Sequence, residues 1–190
     1  SSAASDVYKR QLQEMIASSE RQIKNLANTI KTILITSKAS ESKLVINKEQ
    51  VDIIELTQQA QEQIDINYAS KPHAIGIHDH REEKALVYAD KYLIEHVMHN
   101  LMENAVKYSK DNSDIKISFA NNNFNISNEC DEISKKDLKK IWKPYNRLEK
   151  DEEVRGTGIG LSIVKHILKL HRIKPYTEYS GGRLIIGFYI

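Results

Sequence analysis

Apolar residues recur along the chain with two periods, and the switches between them mark the elements. From Leu12 they fall at Leu12, Ile16, Ile23, Leu26, Ile30 and Ile33, in steps alternating between four and three, with Ser19 at the one interrupted place. That is the a/d seam of a heptad helix, and it calls for a partner helix. No second segment has similar length and pattern, so the partner is expected upstream or in another copy; packing on its own domain is the alternative. Lys38 to Ser42 is polar and ends the helix, and Leu44-Val45-Ile46 is a short strand candidate. Val51 to Ala69 has helical spacing at Val51, Ile54 and Ile64, with Asp52 and Glu55 suiting the N-terminal end and Pro72 beyond the last turn. Ile75 and Ile77, then Ala85 to Tyr88, predict short strands.

The second half is more sharply patterned. Asp90 is a good N-cap for a helix reaching about Tyr108, with Ile94, Val97, Leu101, Ala105 and Tyr108 spaced for a core. Ile115, Ile117 and Phe119 alternate with polar residues, as do Phe124 and Ile126, and Asn121-Asn122-Asn123 between them is turn chemistry, so a hairpin is predicted. Ser134 caps a short helix through Trp142, stopped by Pro144. Charged residues from Glu149 to Arg155 lead to a glycine cluster and a helix from about Gly158 to His171. A last hairpin pairs Tyr176–Tyr179 with Leu184–Ile190 across Gly181-Gly182. Strands separated by helices predict a two-layer α/β sandwich, one mixed sheet with helices on one face, preceded by the long heptad helix.

Composition narrows the function classes. The formal net charge is +2 and the lysines are interspersed with acids, so nucleic acid is not an expected partner. One cysteine, Cys130, excludes an internal disulfide framework and fits a reducing compartment; it is read as a small buried filler. No apolar run approaches the roughly 20 residues of a bilayer span, so any membrane or sensory region is expected outside this chain. Residues 1–11, Ser1 to Gln11, resemble the in-frame translation of a transposase adapter used to prepare sequencing libraries. They are therefore set apart from the fold, with the natural sequence expected to start at Leu12.

Two stretches carry candidate chemistry. On the helix after Asp90, Asn100 and Asn104 lie four apart and share a face, with Lys107 close by. Amide oxygens suit a hard cation such as Mg²⁺, and a lysine suits a phosphate. In Arg155-Gly156-Thr157-Gly158-Ile159-Gly160, alternate glycines let backbone approach phosphate oxygens, and the following helix offers free N–H groups and a positive dipole end. The spacing is that of neither the P-loop nor the dinucleotide fingerprint.

In this order and separation the two stretches resemble the ATPase domain of sensor histidine kinases, the GHKL or Bergerat-type ATP-binding fold. Asn104-Ala105-Val106-Lys107-Tyr108-Ser109 is similar to that family's N box and Gly156–Lys165 to its G2 box. Ile141–Arg147 is similar to its F box, Leu44–Asp52 to the linker before the ATPase domain, and residues 12–40 to the second dimerisation helix. The resemblance implies an ATPase domain over residues 41–190 with ATP and Mg²⁺ as cofactors. Asn104, with Asn100 as a possible second ligand, would hold Mg²⁺. Lys107 would contact phosphate, and Tyr108 would pack near the nucleotide. Asn128 and Ile133 would contact ATP, and Gly156, Thr157, Gly158, Ile159, Gly160 and Leu161 would shape the phosphate lid. Asn100 and Arg147 would be catalytic, Arg147 reaching the γ-phosphate. The implied parent is a homodimeric, membrane-attached kinase with its ATPase domain in the cytoplasm and a response regulator as partner.

The chain departs from that pattern twice. Where the family's G1 box has Asp-x-Gly-x-Gly, this chain has Asn128, Cys130 and Glu132; an asparagine carbonyl still accepts a hydrogen bond from adenine, without the charge. None of the seven histidines stands in the His-Glu-x-x-x-Pro-like context of the phospho-accepting residue. His73, His78 and His80 are read as a solvated linker rather than a metal site, His96 and His99 as N-box-helix residues beside nucleotide or water, and His166 and His171 as outer-face positions. The alternatives are a degenerate nucleotide-binding or dimerisation module of the same fold, or another Bergerat-fold protein such as an anti-sigma kinase; the heptad helix and linker argue against the last.

Overall fold

The computed structural model describes residues 46–69, 71, 73–79, 86–120, 122–146 and 157–190, together with Ile16. The chain divides after Val45 into two units. Of the first, only Ile16 is described, helical and exposed; the rest of the Leu12–Ile33 seam, and Leu44 and Val45, lie outside the described residues.

In the second unit the elements follow in the order β1 (Glu49–Asp52), α1 (Ile53–Asn67), β2 (Ala74–Asp79), β3 (Leu86–Ala89), α2 (Lys91–Tyr108), β4 (Asp114–Ala120), β5 (Asn123–Glu129), α3 (Lys135–Leu138), α4 (Gly160–Leu170), β6 (Pro175–Ser180) and β7 (Arg183–Tyr189). Five strands form one sheet in the order β2-β4-β5-β7-β6, while β1 and β3 form a separate pair. Only β2 and β4 run parallel; the other neighbours are antiparallel, so the sheet is mixed as the pattern predicts.

Alternation explains the layers. Ile115, Ile117 and Phe119 of β4, Phe124 and Ile126 of β5, and Leu184, Ile186 and Phe188 of β7 are all buried. The register sets Phe119 opposite Phe124 and Phe124 opposite Phe188, with ring centroids 5.3 and 4.9 Å apart. α2 lies against β5, flanked by α1 and α4. It buries Leu93, Ile94, Val97, Met98, Leu101, Met102, Ala105 and Val106, a wider stripe than the five positions read from spacing, of which Tyr108 is only half-buried. Each large side chain so buried contributes about 1.5–3 kcal/mol. On the other face of the sheet Arg183 donates to Asp114 Oδ1 (3.1 Å), Glu129 Oε1 (3.2 Å) and the carbonyls of Asp114 (2.7 Å) and Ser127 (3.0 Å), tying three strands.

Several expectations shift. A strand lies at Glu49–Asp52, defined by the pairing of Val51 with Val87; of the Leu44–Ile46 candidate only Ile46 is described, and it lies in no strand. α1 starts at Ile53, since the Asp52 carboxylate accepts from the Ile54 N–H at 3.0 Å and caps it. Its inward face is Ile53, Leu56, Ala60 and Ile64, with Ile54 only half-buried. The helix after Ser134 stops at Leu138 and gives way to turns, although Ser134 caps it as predicted. His78 is exposed as expected but belongs to strand β2, opposite Ser118, and half-buried His73 bonds the Lys71 carbonyl and Asp65, so neither lies in a linker; His80 and Pro72 lie outside the described residues. Cys130 is half-exposed, not buried, since it follows the end of β5. Among the described residues no helix is long and apolar enough to cross a membrane.

Candidate nucleotide site

The site is built on α2. The Asp90 carboxylate caps its start by accepting from the Leu93 N–H (3.1 Å) and also takes the Asn47 N–H (3.1 Å). The Asp90 N–H donates to His171 Nε2 (3.0 Å), which leaves the proton on Nδ1, facing the Ile167 carbonyl at 2.8 Å. His171 is therefore a buried neutral ring linking α4 to α2, not an outer-face residue. His166 is half-buried too: burial, then the nearby Lys169 charge, holds its imidazole below its ordinary range.

Further along, the 3.6-residue period carries Asn100, Glu103, Asn104 and Lys107 along one side of α2, all half-buried. Asn100 Nδ2 donates to the His96 carbonyl at 2.7 Å, leaving Oδ1 as the free end of the amide. That oxygen faces the start of α4: a Cβ on Gly160 would lie 2.9 Å from it, so a larger residue there would push the Asn100 amide aside. Two stretches about 60 residues apart in sequence thus meet at Asn100 and Gly160. Lys107 Nζ lies 3.0 Å from Glu103 Oε1, which also accepts from Tyr68 Oη at 2.9 Å. Burial pushes the Glu103 carboxyl up, but the Lys107 ammonium and the bonds from Lys107 and Tyr68 outweigh it and hold the group below its usual range. In this structure the Lys107 ammonium is thus shared with a carboxylate on its own helix. Half-buried Tyr108 is the last residue of α2.

The glycine segment presents backbone. Gly158 has φ 68°, a conformation that costs glycine little, and its carbonyl accepts from the Tyr145 N–H at 3.0 Å. Tyr145 itself sits at φ 59° with its ring exposed, so the stretch from Ile141 is fastened to the glycine segment through a strained non-glycine residue. Ile159, the N-cap of α4, makes no side-chain capping bond, so the first N–H groups of the helix are left to other partners and its positive dipole end suits an anion. Thr157 is exposed, and Ile159 and Leu161 are half-buried. Asn128 is 3% exposed, on the face of β5 that α2 covers, where a hydrogen bond is strengthened by the low dielectric. Ile133 is buried as well. Arg147 and Gly156 lie outside the described residues.

Sequence reasoning missed Glu103, Tyr68 and Lys71. The Glu103–Lys107 pair was visible as an i,i+4 couple of opposite charges. Tyr68 and Lys71 act across the fold and left no local signal.

Comparison with known proteins agrees with this geometry. The family described as Histidine kinase-, DNA gyrase B-, and HSP90-like ATPase matches residues 89–186. The adaptive-response sensory kinase SasA of Thermosynechococcus vestitus is 26% identical over 177 residues, 90% of this chain and 46% of that protein. The SasA of Synechococcus elongatus is 30% identical over 168 residues, 85% of this chain and 43% of that protein. This chain therefore spans less than half the length of those relatives. The Acinetobacter baumannii histidine kinase AdeS shares the fold, with a TM-score of 0.73 at 21% identity, covering 92% of this chain and 82% of that one. With more than half of its length matched, and with the glycine segment and the asparagine helix meeting in the structure, the chain belongs to the histidine kinase-, DNA gyrase B- and HSP90-like ATPase family.

Proposed function

We propose that this chain binds ATP as its magnesium complex between the C-terminal half of α2 and the N-terminus of α4, and that its parent protein passes the γ-phosphate to a histidine as a two-component sensor kinase. The observation that carries the reading is the meeting of Asn100 Oδ1 with Gly160, which sets an amide oxygen beside the start of α4, whose N-cap residue makes no side-chain cap. That donor set suits a chelated triphosphate: hard oxygens for the cation, N–H groups and an ammonium for the phosphates. Asn104 and Asn100 would ligate Mg²⁺. Lys107, released from or shared with Glu103, would pair with phosphate. The Asn128 carbonyl would accept from the adenine amino group, with Ile133 and Tyr108 beside the base. Gly156 to Leu161 would close over the phosphates, and Arg147 would reach the γ-phosphate. Transfer chemistry of this kind is mostly positioning and charge neutralisation, which these groups supply.

The acceptor histidine, the response regulator, dimerisation through the helix at 12–40 and membrane attachment belong to this reading of the parent. None of the seven histidines has the acceptor's sequence context. With γ-labelled ATP this chain alone is expected to take up no acid-labile, base-stable label. Adding a dimerisation domain that carries the histidine helix should restore transfer to that domain, and Arg147→Ala should weaken it. The direct test titrates a fluorescent ATP analogue against wild type and Asn104→Ala, with Mg²⁺ and with EDTA. Loss of the amide or of the cation should weaken binding by at least about tenfold, roughly 1.4 kcal/mol. Equal affinity in all four arms would overturn the site. The second reading, a degenerate module, is favoured by Asn128, Cys130 and Glu132 in the G1-like stretch; it predicts no measurable ATP binding even with Mg²⁺.

A further inference from the structure

We infer that Lys71 is a positioning residue for the nucleotide site: its ammonium clamps the last turn of α2 and so holds Lys107 in place at the phosphate-facing side. The inference rests on the nucleotide-binding reading above.

A helix leaves its last carbonyls without intrahelical partners. Many helices solve this with a left-handed glycine just past the end. α2 has no such residue: its C-cap, Ser109, has extended backbone (φ −71°, ψ 148°), and Lys110 follows. Instead Lys71 Nζ reaches in from the turn after α1 and donates to the carbonyls of Val106 (2.6 Å), Lys107 (3.1 Å) and Ser109 (3.0 Å). A lysine ammonium has three protons, and this arrangement gives it three acceptors. Its positive charge also complements the negative end of the helix. Burial pulls the Lys71 ammonium below its ordinary range, against an upward pull from Asp111, and its hydrogen-bond acceptors are carbonyls rather than carboxylates.

The clamp is itself braced. The Lys71 N–H donates to the Tyr68 carbonyl (2.9 Å), making a tight turn after α1. The Lys71 carbonyl meets His73 Nδ1 (2.6 Å), and His73 Nε2 meets Asp65 Oδ1 on α1 (3.1 Å). From the same turn Tyr68 Oη holds Glu103, the partner of Lys107. One short turn thus grips Lys107 twice, by its backbone carbonyl through Lys71 and by its side chain through Tyr68 and Glu103. Asn100 and Asn104 sit further up the helix, outside this grip. Loss of Lys71 therefore frays the turn bearing Lys107 and Tyr108 while leaving the asparagines where they are.

The test uses Lys71→Met, which keeps the stem and removes the donors, Lys71→Arg, which keeps charge and donors, and Lys107→Met. Mg-ATP and adenosine affinities are measured on the full chain, with amide hydrogen exchange as the check on the helix. Lys71→Met should weaken Mg-ATP about five- to tenfold and adenosine by less than about threefold, the part carried by Tyr108. It should speed exchange at residues 106–109 but not at residues 93–98, and Lys71→Arg should recover much of the loss. In the Lys107→Met background, Lys71→Met should weaken Mg-ATP no more than it weakens adenosine, the signature of one residue acting through another. Equal losses for ATP and adenosine, or losses that multiply in the double variant, would overturn the inference, because a general loss of stability behaves that way. Wild type that binds Mg-ATP and a Lys71→Met chain that binds it equally would overturn the inference alone. Wild type that binds no Mg-ATP would overturn the reading beneath it and the inference with it.

Discussion

The two ends of α2 are anchored in opposite ways. At the N-terminus a carboxylate and a neutral imidazole do the work: Asp90 takes the Leu93 N–H, and His171 takes the Asp90 N–H. That half of the helix buries Leu93, Ile94, Val97 and Met98. At the C-terminus an ammonium takes the last carbonyls, and the preceding turns carry Asn100, Glu103, Asn104 and Lys107, all half-buried. The lesson is a division of labour within one helix. Substitutions of the buried apolar residues in the first half should cost folding free energy with little effect on ligand, and those of Asn100, Asn104 and Lys107 in the second half should do the reverse.

The largest break in that comparison comes from the core. Ile94 is fully buried, so Ile94→Ala should lower stability by about 2–5 kcal/mol. Urea unfolding measures this, and nucleotide affinity of the folded fraction should stay within twofold of wild type. A large affinity change would mean that the halves are not separable. His171→Ala leaves the Asp90 N–H without its acceptor and should cost about 1–3 kcal/mol, again with affinity unchanged.

The local patterns of both halves were legible in sequence, and the distant partners that anchor each end were not. Asp90 as a cap, the apolar stripe of α2, the hairpin of β4 and β5 and the capping by Ser134 all follow from local patterns of spacing and turn chemistry. So did Asn100, Asn104 and the glycine segment, because residue types at fixed spacing carry that signal. What was not legible depends on distant partners. β1 reads Glu49-Gln50-Val51-Asp52, a polar segment that is a strand only because β3 pairs with it. His171 was placed on an outer face because nothing near it in sequence announces Asp90, 81 residues away. Lys71 stands before Pro72 in no pattern that marks it, and its three acceptors lie 35 to 38 residues on. Tertiary hydrogen bonds of this kind have no period to read.

A smaller effect sharpens the comparison from the ligand end. The Glu103 carboxyl is depressed in the folded chain, so its contribution is complete above the ordinary value of 4.5 and is lost as pH falls through the lower folded value. Glu103→Gln should be less stable than wild type at neutral pH, with the gap narrowing once pH drops under 4.5. Thermal unfolding across pH 3 to 8 (roughly the span in which carboxylates and imidazoles titrate) checks this. A gap that persists unchanged at the acid end would remove the charge argument.

The central claim, that nucleotide binds where the C-terminal half of α2 meets the start of α4, is tested most directly by mapping backbone amide NMR shifts on adding Mg-ATP. The account predicts large shifts at residues 100–109, 128 and 157–161, and small ones at residues 91–97 and at Lys116 and Ser118 on the opposite face of the sheet. Shifts concentrated on that opposite face, or none at Asn100, Asn104 and Gly160 at saturating nucleotide, would contradict it.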